Sequence, residues 1–283
     1  MIECWNNRGF LYVVATPIGN LGDMSERAVE ILRQVDCIAA EDTRHSAPLL
    51  HYFKITTPIV AYHEHNERIM TPILVERIIA GESIALISDA GTPLISDPGF
   101  HLVHAARERN IPVSPIPGAS AIICALSVCG LPCDRFAFEG FLPAKETARR
   151  GHLESLREEK RTLIFYESPY RLQETLIDLA TIFGGDRRAV LARELTKIHE
   201  TFLYDTLDKL AHQVIMDSNQ RRGESVLIVA GAPEIEAKEK AEVLAKKIFE
   251  VLQKELPASQ AVALTAQITG VRKNFLYSQF IAE

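Results

Sequence analysis

Residues 83–99 read Ser83-Ile84-Ala85-Leu86-Ile87-Ser88-Asp89-Ala90-Gly91-Thr92-Pro93-Leu94-Ile95-Ser96-Asp97-Pro98-Gly99. The first six residues form an apolar run of strand length, which is typical of a strand buried on both faces. The rest is rich in glycine, proline, aspartate and threonine, which end regular structure and let the backbone approach a ligand closely. Because open parallel sheets bind ligands at the carboxyl ends of their strands, this segment predicts a buried strand followed by a binding loop.

Apolar runs and helical patterns alternate on both sides of this segment. Up to residue 118 they occupy 10–15, 25–35, 37–40, 58–61, 67–80, 100–109 and 111–116. From 119 onwards they occupy 119–129, 136–139, 144–159, 162–166, 171–183, 189–193, 206–217 and 226–230. This alternation predicts an α/β protein with a largely parallel first sheet covered by helices, followed by a second α/β set.

The character of the chain changes after Gly231-Ala232-Pro233. Apolar residues follow at helical spacing, and Pro257 ends that helix. Two further short helical patterns are joined at Gly270. This predicts a small helix-turn-helix-like appendage, although a helical pair that only packs on the body fits the pattern equally well. The predicted domains are 1–118, 119–233 and 234–283, with a cleft between the first two.

Composition limits the classes of function. Apolar residues make up 47% of the chain and charged residues 24%, as in ordinary globular proteins, and the net charge is −6. A nucleic-acid contact would therefore need a local basic patch. No apolar run reaches the roughly 20 residues of a membrane helix, and the N-terminus lacks a signal-peptide pattern. We expect a cytoplasmic protein.

Two groups of potential metal ligands carry weak signals. Cys124, Cys129 and Cys133 lie in or beside an apolar helical run, where cysteine commonly acts as a small hydrophobe. His63 and His65 are two residues apart, so in an extended chain they point to opposite faces. We predict no metal site.

Other polar segments follow predicted strands. The loop after the first strand, 16–23, has neither G-x-G-x-x-G nor the phosphate-binding G-x-x-x-x-G-K-S/T spacing, which disfavours a nucleoside triphosphatase. Glu41-Asp42-Thr43-Arg44-His45 offers carboxylates beside a guanidinium, although an ion-paired surface turn is equally consistent with it. Residues 166–171 and 192–197 follow strands of the second set, and we expect them to face the same cleft as Asp89.

Several of these motifs together resemble one family. They are Thr16-Pro17-Ile18-Gly19-Asn20-Leu21, Ala40-Glu41-Asp42-Thr43-Arg44, Ser88-Asp89-Ala90-Gly91-Thr92-Pro93, Glu139-Gly140-Phe141-Leu142-Pro143, Phe165-Tyr166-Glu167-Ser168 and Arg193-Glu194-Leu195-Thr196-Lys197. In this order they are similar to the bacterial small-subunit ribosomal RNA cytidine 2′-O-methyltransferases of the tetrapyrrole-methylase-like superfamily. The resemblance covers about residues 9–283. It implies two α/β domains of the class III S-adenosylmethionine methyltransferase type and a C-terminal helix-turn-helix-like tail.

The resemblance also implies a site and a reaction. S-adenosyl-L-methionine would bind in the cleft against Pro17, Asp89, Ala90, Thr92, Ile95, Ser120, Ala121, Phe141, Tyr166 and Leu195. Its methyl group would pass to a cytidine ribose 2′-oxygen, without a metal. Asp42, then Glu167, are the preferred candidates for the base, with Glu194 a third. Arg44 and Lys197 are placed to hold phosphate or polarise the hydroxyl.

The implied partners are small-subunit ribosomal RNA or the assembled 30S subunit, and a second copy of the chain in a homodimer. RNA contacts are predicted at Lys145, Arg149, Arg150, Arg272 and Lys273. Two alternatives remain from the sequence. One is a tetrapyrrole methyltransferase of the same fold, and the other is a ribosome-binding protein without catalysis.

Overall fold

The computed structural model describes residues 9–233 and 237–280. The chain divides into two compact units, with the division between Ala232 and Pro233. The first unit contains two five-stranded sheets and eight α-helices among its described residues, and the second contains three helices. The predicted fold class, two α/β sheets followed by a helical tail, is confirmed.

The first sheet is entirely parallel. Its strands have the spatial order β3-β2-β4-β1-β5 and the bounds β1 Leu11–Val14, β2 Cys37–Ala40, β3 Ile59–Ala61, β4 Ile84–Ile87 and β5 Val113–Ile116. The helices are α1 Glu26–Gln34, α2 Thr43–Tyr52, α3 Glu67–Ile79, α4 Phe100–Glu108 and α5 Ala121–Val128. Strand β4 is buried along its whole length because apolar clusters cover both faces of the sheet, as its uninterrupted apolar run predicts.

The second sheet is mixed. Its strands have the order β6-β7-β10-β8-β9 and the bounds β6 Phe136–Phe141, β7 Thr162–Glu167, β8 Arg188–Arg193, β9 Thr201–Thr206 and β10 Ser225–Val229. Only β6 and β7 are parallel neighbours. Helices α6 Glu146–Leu156, α7 Leu172–Phe183 and α8 Leu207–Met216 contribute to the apolar cluster on one face, while α5 packs against the other.

The second unit is a small helical bundle. It comprises α9 Ala237–Leu252, α10 Ala258–Thr269 and α11 Lys273–Phe280. Its core includes Phe249, Val262 and Leu276, and Gly270 ends α10 with a left-handed φ of 72°, which glycine adopts without strain. The predicted pair of helices joined at this glycine is present.

Two elements of the structure, α2 and β9, were not predicted from the sequence. Helix α2 begins immediately after Asp42, in a segment that we interpreted as a strand end or turn, and Pro48 inside it obscures the helical pattern. Strand β9 is an edge strand whose Phe202 and Tyr204 are exposed, so it shows no buried apolar run. Both elements depend on contacts that local periodicity does not report.

Candidate active site

Loops at the carboxyl edge of the first sheet are joined by hydrogen bonds. Thr16, after β1, donates its hydroxyl to the Ser88 carbonyl oxygen at 3.2 Å and forms a β-bridge with Gly91. Asp89, after β4, accepts a hydrogen bond at Oδ1 from the Asp42 backbone N–H at 3.1 Å. The loops after β1, β2 and β4 therefore form one connected rim.

The second sheet contributes a matching edge. Strands β7 and β8 both run antiparallel to β10, so their carboxyl ends lie side by side with the start of β10 between them. Ser225 is paired with Glu167 on one side and with Arg193 on the other. The segments that follow Tyr166 and Ala192 are thus brought together, as the sequence predicts.

A mainly apolar cleft of about 310 Å³ lies between residues of the two sheets. This volume is at the lower end of the range for small-molecule sites. Its lining is Ile18, Ala90, Gly91, Thr92, Ile95, Ser96, Asp97, Ser120, Ala121, Phe141, Tyr166, Glu167, Ser168, Pro169, Ala192, Leu195, Glu224, Ser225 and Val226. A small-molecule ligand here would contact both sheets.

Glycine is required where the loops approach one another. Gly91 has φ 84°, and a Cβ there would lie 3.3 Å from Ile18 Cγ2 inside the cleft wall. Gly19 has φ 148°, and a Cβ there would overlap the aliphatic stem of Lys197 from the facing sheet. A side chain at either position would strain the backbone and separate the walls of the cleft.

One carboxylate in the cleft has a strongly shifted pKa. Burial raises the pKa of Asp97 to about 6, and the negative charges of Glu41 and Asp89 add to the effect, while a hydrogen bond from Ser88 opposes it. Burial also raises the pKa of Tyr166, together with the charge of Asp97, to about 12. The cleft therefore combines apolar walls with a local negative field that favours a cationic ligand.

Eight of the ten predicted cofactor residues line this cleft. They are Ala90, Thr92, Ile95, Ser120, Ala121, Phe141, Tyr166 and Leu195. The remaining two, Pro17 and Asp89, are sequence neighbours of lining residues but do not line the cleft. Asp97 was not singled out from the sequence. The only sequence signal for it was its position between Pro93 and Pro98, in the loop that follows the buried strand β4.

Asp42 and Arg44 form an exposed pair at the start of α2. The Asp42 carboxylate caps the helix by accepting the Arg44 backbone N–H at 2.8 Å, and it binds the guanidinium at 3.0 and 3.2 Å. These hydrogen bonds hold the pKa of Asp42 at about 2. The Arg44 side chain is 91% exposed, so its remaining donors face solvent.

Glu167, the second candidate for the base, lies in a network of hydrogen bonds. Its carboxylate is fully buried and accepts hydrogen bonds from the Thr175 hydroxyl at 2.6 Å and the Ser168 backbone N–H at 2.7 Å. Arg171 Nη2 lies 2.8 Å from the same carboxylate and also links it to the surrounding loop. With its oxygens occupied in this way, Glu167 holds the end of β7 to α7, and its role as a base, ranked after Asp42, stays a prediction.

We expect Glu167→Gln to lower the free energy of unfolding by about 2–3 kcal/mol, because an amide nitrogen would face donors and leave Arg171 without its charged partner. Chemical denaturation followed by circular dichroism measures this loss. Glu30→Gln, at an exposed position on α1, is the control and is expected to change stability by less than about 0.5 kcal/mol. Equal stability of the two variants would contradict the structural role.

Lys197 connects the cleft loops by charge. Its Nζ lies 2.9 Å from Glu194 Oε1 and 3.0 Å from Glu224 Oε2. Burial acts to lower the pKa of Lys197, but these two partners outweigh it and raise that pKa. The ammonium is therefore charged in any physiological condition. Burial acts to raise the pKa of Glu194, but hydrogen bonds from the Glu224 backbone N–H and from Lys197 outweigh it and lower that pKa.

The predicted RNA contacts separate into two groups. Lys145, Arg272 and Lys273 are exposed, and the Arg150 side chain is 45% exposed. Arg149 is 2% exposed, and its Nε donates to Asp178 Oδ2 at 2.8 Å beneath α7. The prediction that Arg149 contacts RNA is wrong, because its guanidinium is enclosed in the protein.

His63 and His65 do not lie in an extended chain, contrary to the expectation from the sequence. Residues 64–66 form a turn and not an extended chain, so the rings of His63 and His65 lie with centroids 6.0 Å apart. Among the residues that the structure describes, no group of three or more His, Cys, Asp or Glu side chains is arranged to hold a metal ion. Within the same residues, no helix has both the length and the apolar character needed to span a bilayer.

The fold and the cleft define a class of protein. Residues 10–211 match the family model of the tetrapyrrole (corrin/porphyrin) methylases. A uroporphyrin-III C-methyltransferase of Thermus thermophilus, solved in complex with S-adenyl homocysteine, is 16% identical. It has a TM-score of 0.54 over 78% of this chain and 97% of that one. Diphthine synthase is 15% identical with a TM-score of 0.60, over 78% of this chain and 89% of that one. These structural likenesses show the shared fold.

Full-length relatives narrow the class. Residues 239–282 match the RsmI C-terminal HTH domain. Ribosomal RNA small subunit methyltransferase I of Pseudomonas aeruginosa is 58% identical over 96% of both chains. The protein of the same name from Escherichia coli O157:H7 is 51% identical over 96% of this chain and 94% of its own. The chain belongs to the ribosomal RNA small subunit methyltransferase I family.

Proposed function

We propose that this protein transfers a methyl group from S-adenosyl-L-methionine to the 2′-hydroxyl of a cytidine ribose in small-subunit ribosomal RNA. The observation that carries the proposal is the near full-length identity to relatives named for small-subunit ribosomal RNA methylation. The lining of the cleft also supports it, because eight cofactor residues implied by the resemblance line one cavity.

The cleft suits this methyl donor in charge and shape. Ile18, Leu195 and Val226 offer an apolar wall for an adenosyl group, and the small residues Ala90 and Gly91 leave room for it. S-adenosylmethionine carries a positively charged sulfonium, which matches the negative field around Asp97. Ionised Asp97 is thereby stabilised when the donor is bound, because an opposite charge lowers a raised carboxyl pKa.

The residues of the chain mainly align the reactants. The donor supplies a methyl group already activated by its positive charge. Well-oriented reactants recover roughly 7–11 kcal/mol of a reaction barrier. In this proposal the residues lining the cleft fix the donor, while Arg44, with exposed donors at the start of α2, binds an RNA phosphate. The loops joined by Thr16 and Asp89 keep these groups in register.

Asp42 remains our candidate for the group that accepts the ribose proton. A positioned base contributes about 10²–10⁴-fold, and a carboxylate with a pKa near 2 belongs at the lower end of that range. We therefore expect Asp42→Asn to slow single-turnover methylation by about 10²-fold, with S-adenosylmethionine affinity unchanged. Asparagine caps helices as well as aspartate does, so α2 is retained.

The control for Asp42→Asn is Asp36→Asn, which removes the same charge from an exposed position before β2. Both variants are compared at saturating donor and RNA. A rate for Asp42→Asn within a few-fold of wild type, with unchanged RNA binding, would remove Asp42 as the base.

We further propose that the N-terminal domain 1–118 and the second domain 119–233 enclose the donor, and that the tail 234–283 contacts RNA through Arg272 and Lys273. Lys145, just before α6, and Arg150, on α6, would add contacts. The enzyme would act in the cytoplasm on ribosomal RNA or on the 30S subunit.

A homodimer is also part of the proposal. Ile69 and Ile73 on α3 and Phe100 on α4 are exposed apolar side chains, and the Glu67–His101 contact at 3.3 Å joins the same two helices. Exposed apolar surfaces of this kind mark protein interfaces. Light scattering is expected to give twice the chain mass for wild type and a single chain mass for Ile73→Glu, and a wild-type monomer would contradict the dimer.

The proposed activity is tested by incubating the protein with tritiated S-adenosylmethionine and unmodified small ribosomal subunits. The label is then mapped by nuclease digestion. Label on one cytidine ribose 2′-oxygen is the expected result. If the donor binds but RNA remains unlabelled, and a porphyrinogen is labelled instead, the substrate is a tetrapyrrole and the proposal is wrong.

A further inference from the structure

Two large apolar side chains are almost completely exposed, and both lie at the same edge of the second sheet. Tyr170 and Ile198 are each 94% exposed, whereas the other exposed large apolar side chains in the described residues reach at most 73%. Tyr170 follows the lining residue Pro169, and Ile198 lies three residues after the lining residue Leu195. The two most exposed apolar groups are thus both close in sequence to walls of the cleft.

The loop that carries Ile198 is held firmly, so this exposure belongs to an ordered segment. Buried Arg193 donates from Nη2 to the His199 carbonyl oxygen at 3.2 Å, and the Thr196 backbone N–H donates to Glu200 Oε2 at 2.7 Å. The Glu200 backbone N–H also donates to the Lys197 carbonyl oxygen at 3.1 Å. A loop with these hydrogen bonds presents an apolar tip to water.

Tyr170 is similarly placed on a fixed base. The next residue, Arg171, donates to the Leu142 carbonyl oxygen at 2.9 Å and to Ser168 Oγ at 3.3 Å. The Tyr170 ring makes no ring contact, and its hydroxyl makes no hydrogen bond, with any residue that the structure describes. An aromatic side chain on a rigid support loses little conformational entropy when a flat partner stacks on it.

The chemistry around the two residues favours RNA as that partner. Strands β7 and β8, which precede the two loops, are separated by β10, so their ends are roughly 10 Å apart. Arg221 is exposed, and its Nη1 lies 2.8 Å from Oε1 of Gln173, which is three residues after Tyr170 at the start of α7. Proteins that bind unpaired nucleotides combine exposed aromatic side chains, on which the bases stack, with cations that neutralise the phosphates.

We propose that Tyr170 and Ile198 hold unpaired nucleobases that flank the methylated nucleotide, so that the enzyme takes a single-stranded segment of the RNA. Tyr170 supplies a stacking face, and Ile198 supplies an apolar wall on the other side of the cleft. This inference rests on the proposed function. It goes beyond that function by assigning two positioning residues and the unpaired state of the substrate.

The test uses the full chain with unmodified small ribosomal subunits. Loss of one base stack corresponds to roughly 5- to 150-fold in RNA affinity, so we expect Tyr170→Ala to raise KM for the subunit by a factor in that range. The S-adenosylmethionine Kd and the kcat at saturating subunit are expected to stay within about twofold of wild type. Tyr170→Phe is the matched control, because it keeps the ring and is expected to behave as wild type. Ile198→Ser is expected to raise KM by about 3- to 10-fold.

A spectroscopic readout checks the stacking itself. The chain has a single tryptophan, Trp5. The variant Tyr170→Trp is made in a Trp5→Phe background, so that its fluorescence comes from position 170. We expect this fluorescence to be quenched by a single-stranded oligoribonucleotide with the sequence around the methylated cytidine, and not by the same sequence in a duplex. Quenching by both would overturn the single-strand assignment.

The outcomes separate this inference from the proposed function. Wild-type protein that fails to label RNA would contradict the function itself. Wild-type labelling with an unchanged KM for Tyr170→Ala would overturn only the role of Tyr170 and Ile198. Conversion of the dimer to a monomer by Tyr170→Ala, seen by light scattering, would assign Tyr170 to a subunit interface and would also overturn the inference.

Discussion

Asp97→Asn is expected to weaken S-adenosylmethionine binding by at least about 30-fold, the lower end of the effect of removing one partner from a buried charge pair. The reason is that Asp97 is the cleft carboxylate whose charge is poorly solvated, so a cationic ligand restores favourable interactions that water does not supply. Titration calorimetry measures the loss. Asp134→Asn, which removes the same charge from an exposed position before β6, is the control and is expected to bind normally.

The pH dependence follows from the same group. Because the pKa of Asp97 is about 6 without ligand, protons compete with the cationic donor below that pH. Wild-type affinity should therefore fall by up to tenfold per pH unit below about pH 6, while Asp97→Asn should show no such fall. A wild-type affinity that stays constant between about pH 5 and 8 would contradict this assignment.

The stability of the ligand-free protein should change with pH in the opposite direction to its affinity for the donor, and should rise as the pH falls from about 6 to 4. The folded-state pKa of Asp97 lies above the ordinary value of 3.8, so the native protein binds more protons than the unfolded chain between about pH 4 and 6. Its ionised form therefore costs stability at pH 7, and that cost disappears below about pH 4. Asp97→Asn is expected to melt higher than wild type at pH 7 and not at pH 4, the usual exchange of stability for function at a site.

Arg149→Met is expected to lower the free energy of unfolding by about 3–5 kcal/mol, because it leaves the buried carboxylate of Asp178 without its closest cation. Asp178→Asn should cost a similar amount. Arg150, whose Nη1 is 3.6 Å from Asp178 Oδ1, remains as a weaker partner in the first variant. Chemical denaturation measures these changes, and Lys145→Met, at the exposed position just before α6, is the control with an expected change within about 0.5 kcal/mol.

A double variant and an RNA-binding measurement make this prediction specific. Arg149→Met with Asp178→Leu should lose less stability than the two single changes added together, since neither partner is left unpaired. Folded Arg149→Met should bind RNA as wild type does, whereas Arg272→Ala with Lys273→Ala should bind more weakly and with a smaller salt dependence. A loss of stability below about 1 kcal/mol for Arg149→Met would contradict the buried ion pair.

Much of the architecture was predictable from local sequence. Strand β2 occupies the predicted residues 37–40, and β4 lies within one residue of each predicted end. These strands are recognisable because both faces are buried and the apolar run is uninterrupted. Helix α2 was missed because its cap at Asp42 and its interior Pro48 do not follow an amphipathic repeat. The antiparallel pairing of β10 could not be predicted either, because an apolar run identifies a strand without indicating the direction in which it runs in the sheet.

The site was predictable in its lining but not in its charges. Loops after buried strands, rich in glycine and proline, indicated where a ligand would bind, and most of the implied cofactor residues line the cleft. The sequence showed Asp97 and Glu167 as two carboxylates in similar loops. Only the folded chain leaves Asp97 facing the cleft and surrounds Glu167 with Thr175, Arg171 and the Ser168 N–H.

The sequence by itself determined the family, the succession of strands and helices, and the loops that form the cleft. These features depend on the periodicity of apolar residues and on glycine and proline, whose effects act over a few neighbouring residues. The tertiary structure alone decided which charged groups line the cleft and which are enclosed in ion pairs. The pKa of Asp97 depends in part on Glu41, which is 56 residues away in the chain. Arg149 is buried against Asp178, which is 29 residues away. Desolvation and Coulomb energy depend on distance in space, so no local pattern reports them.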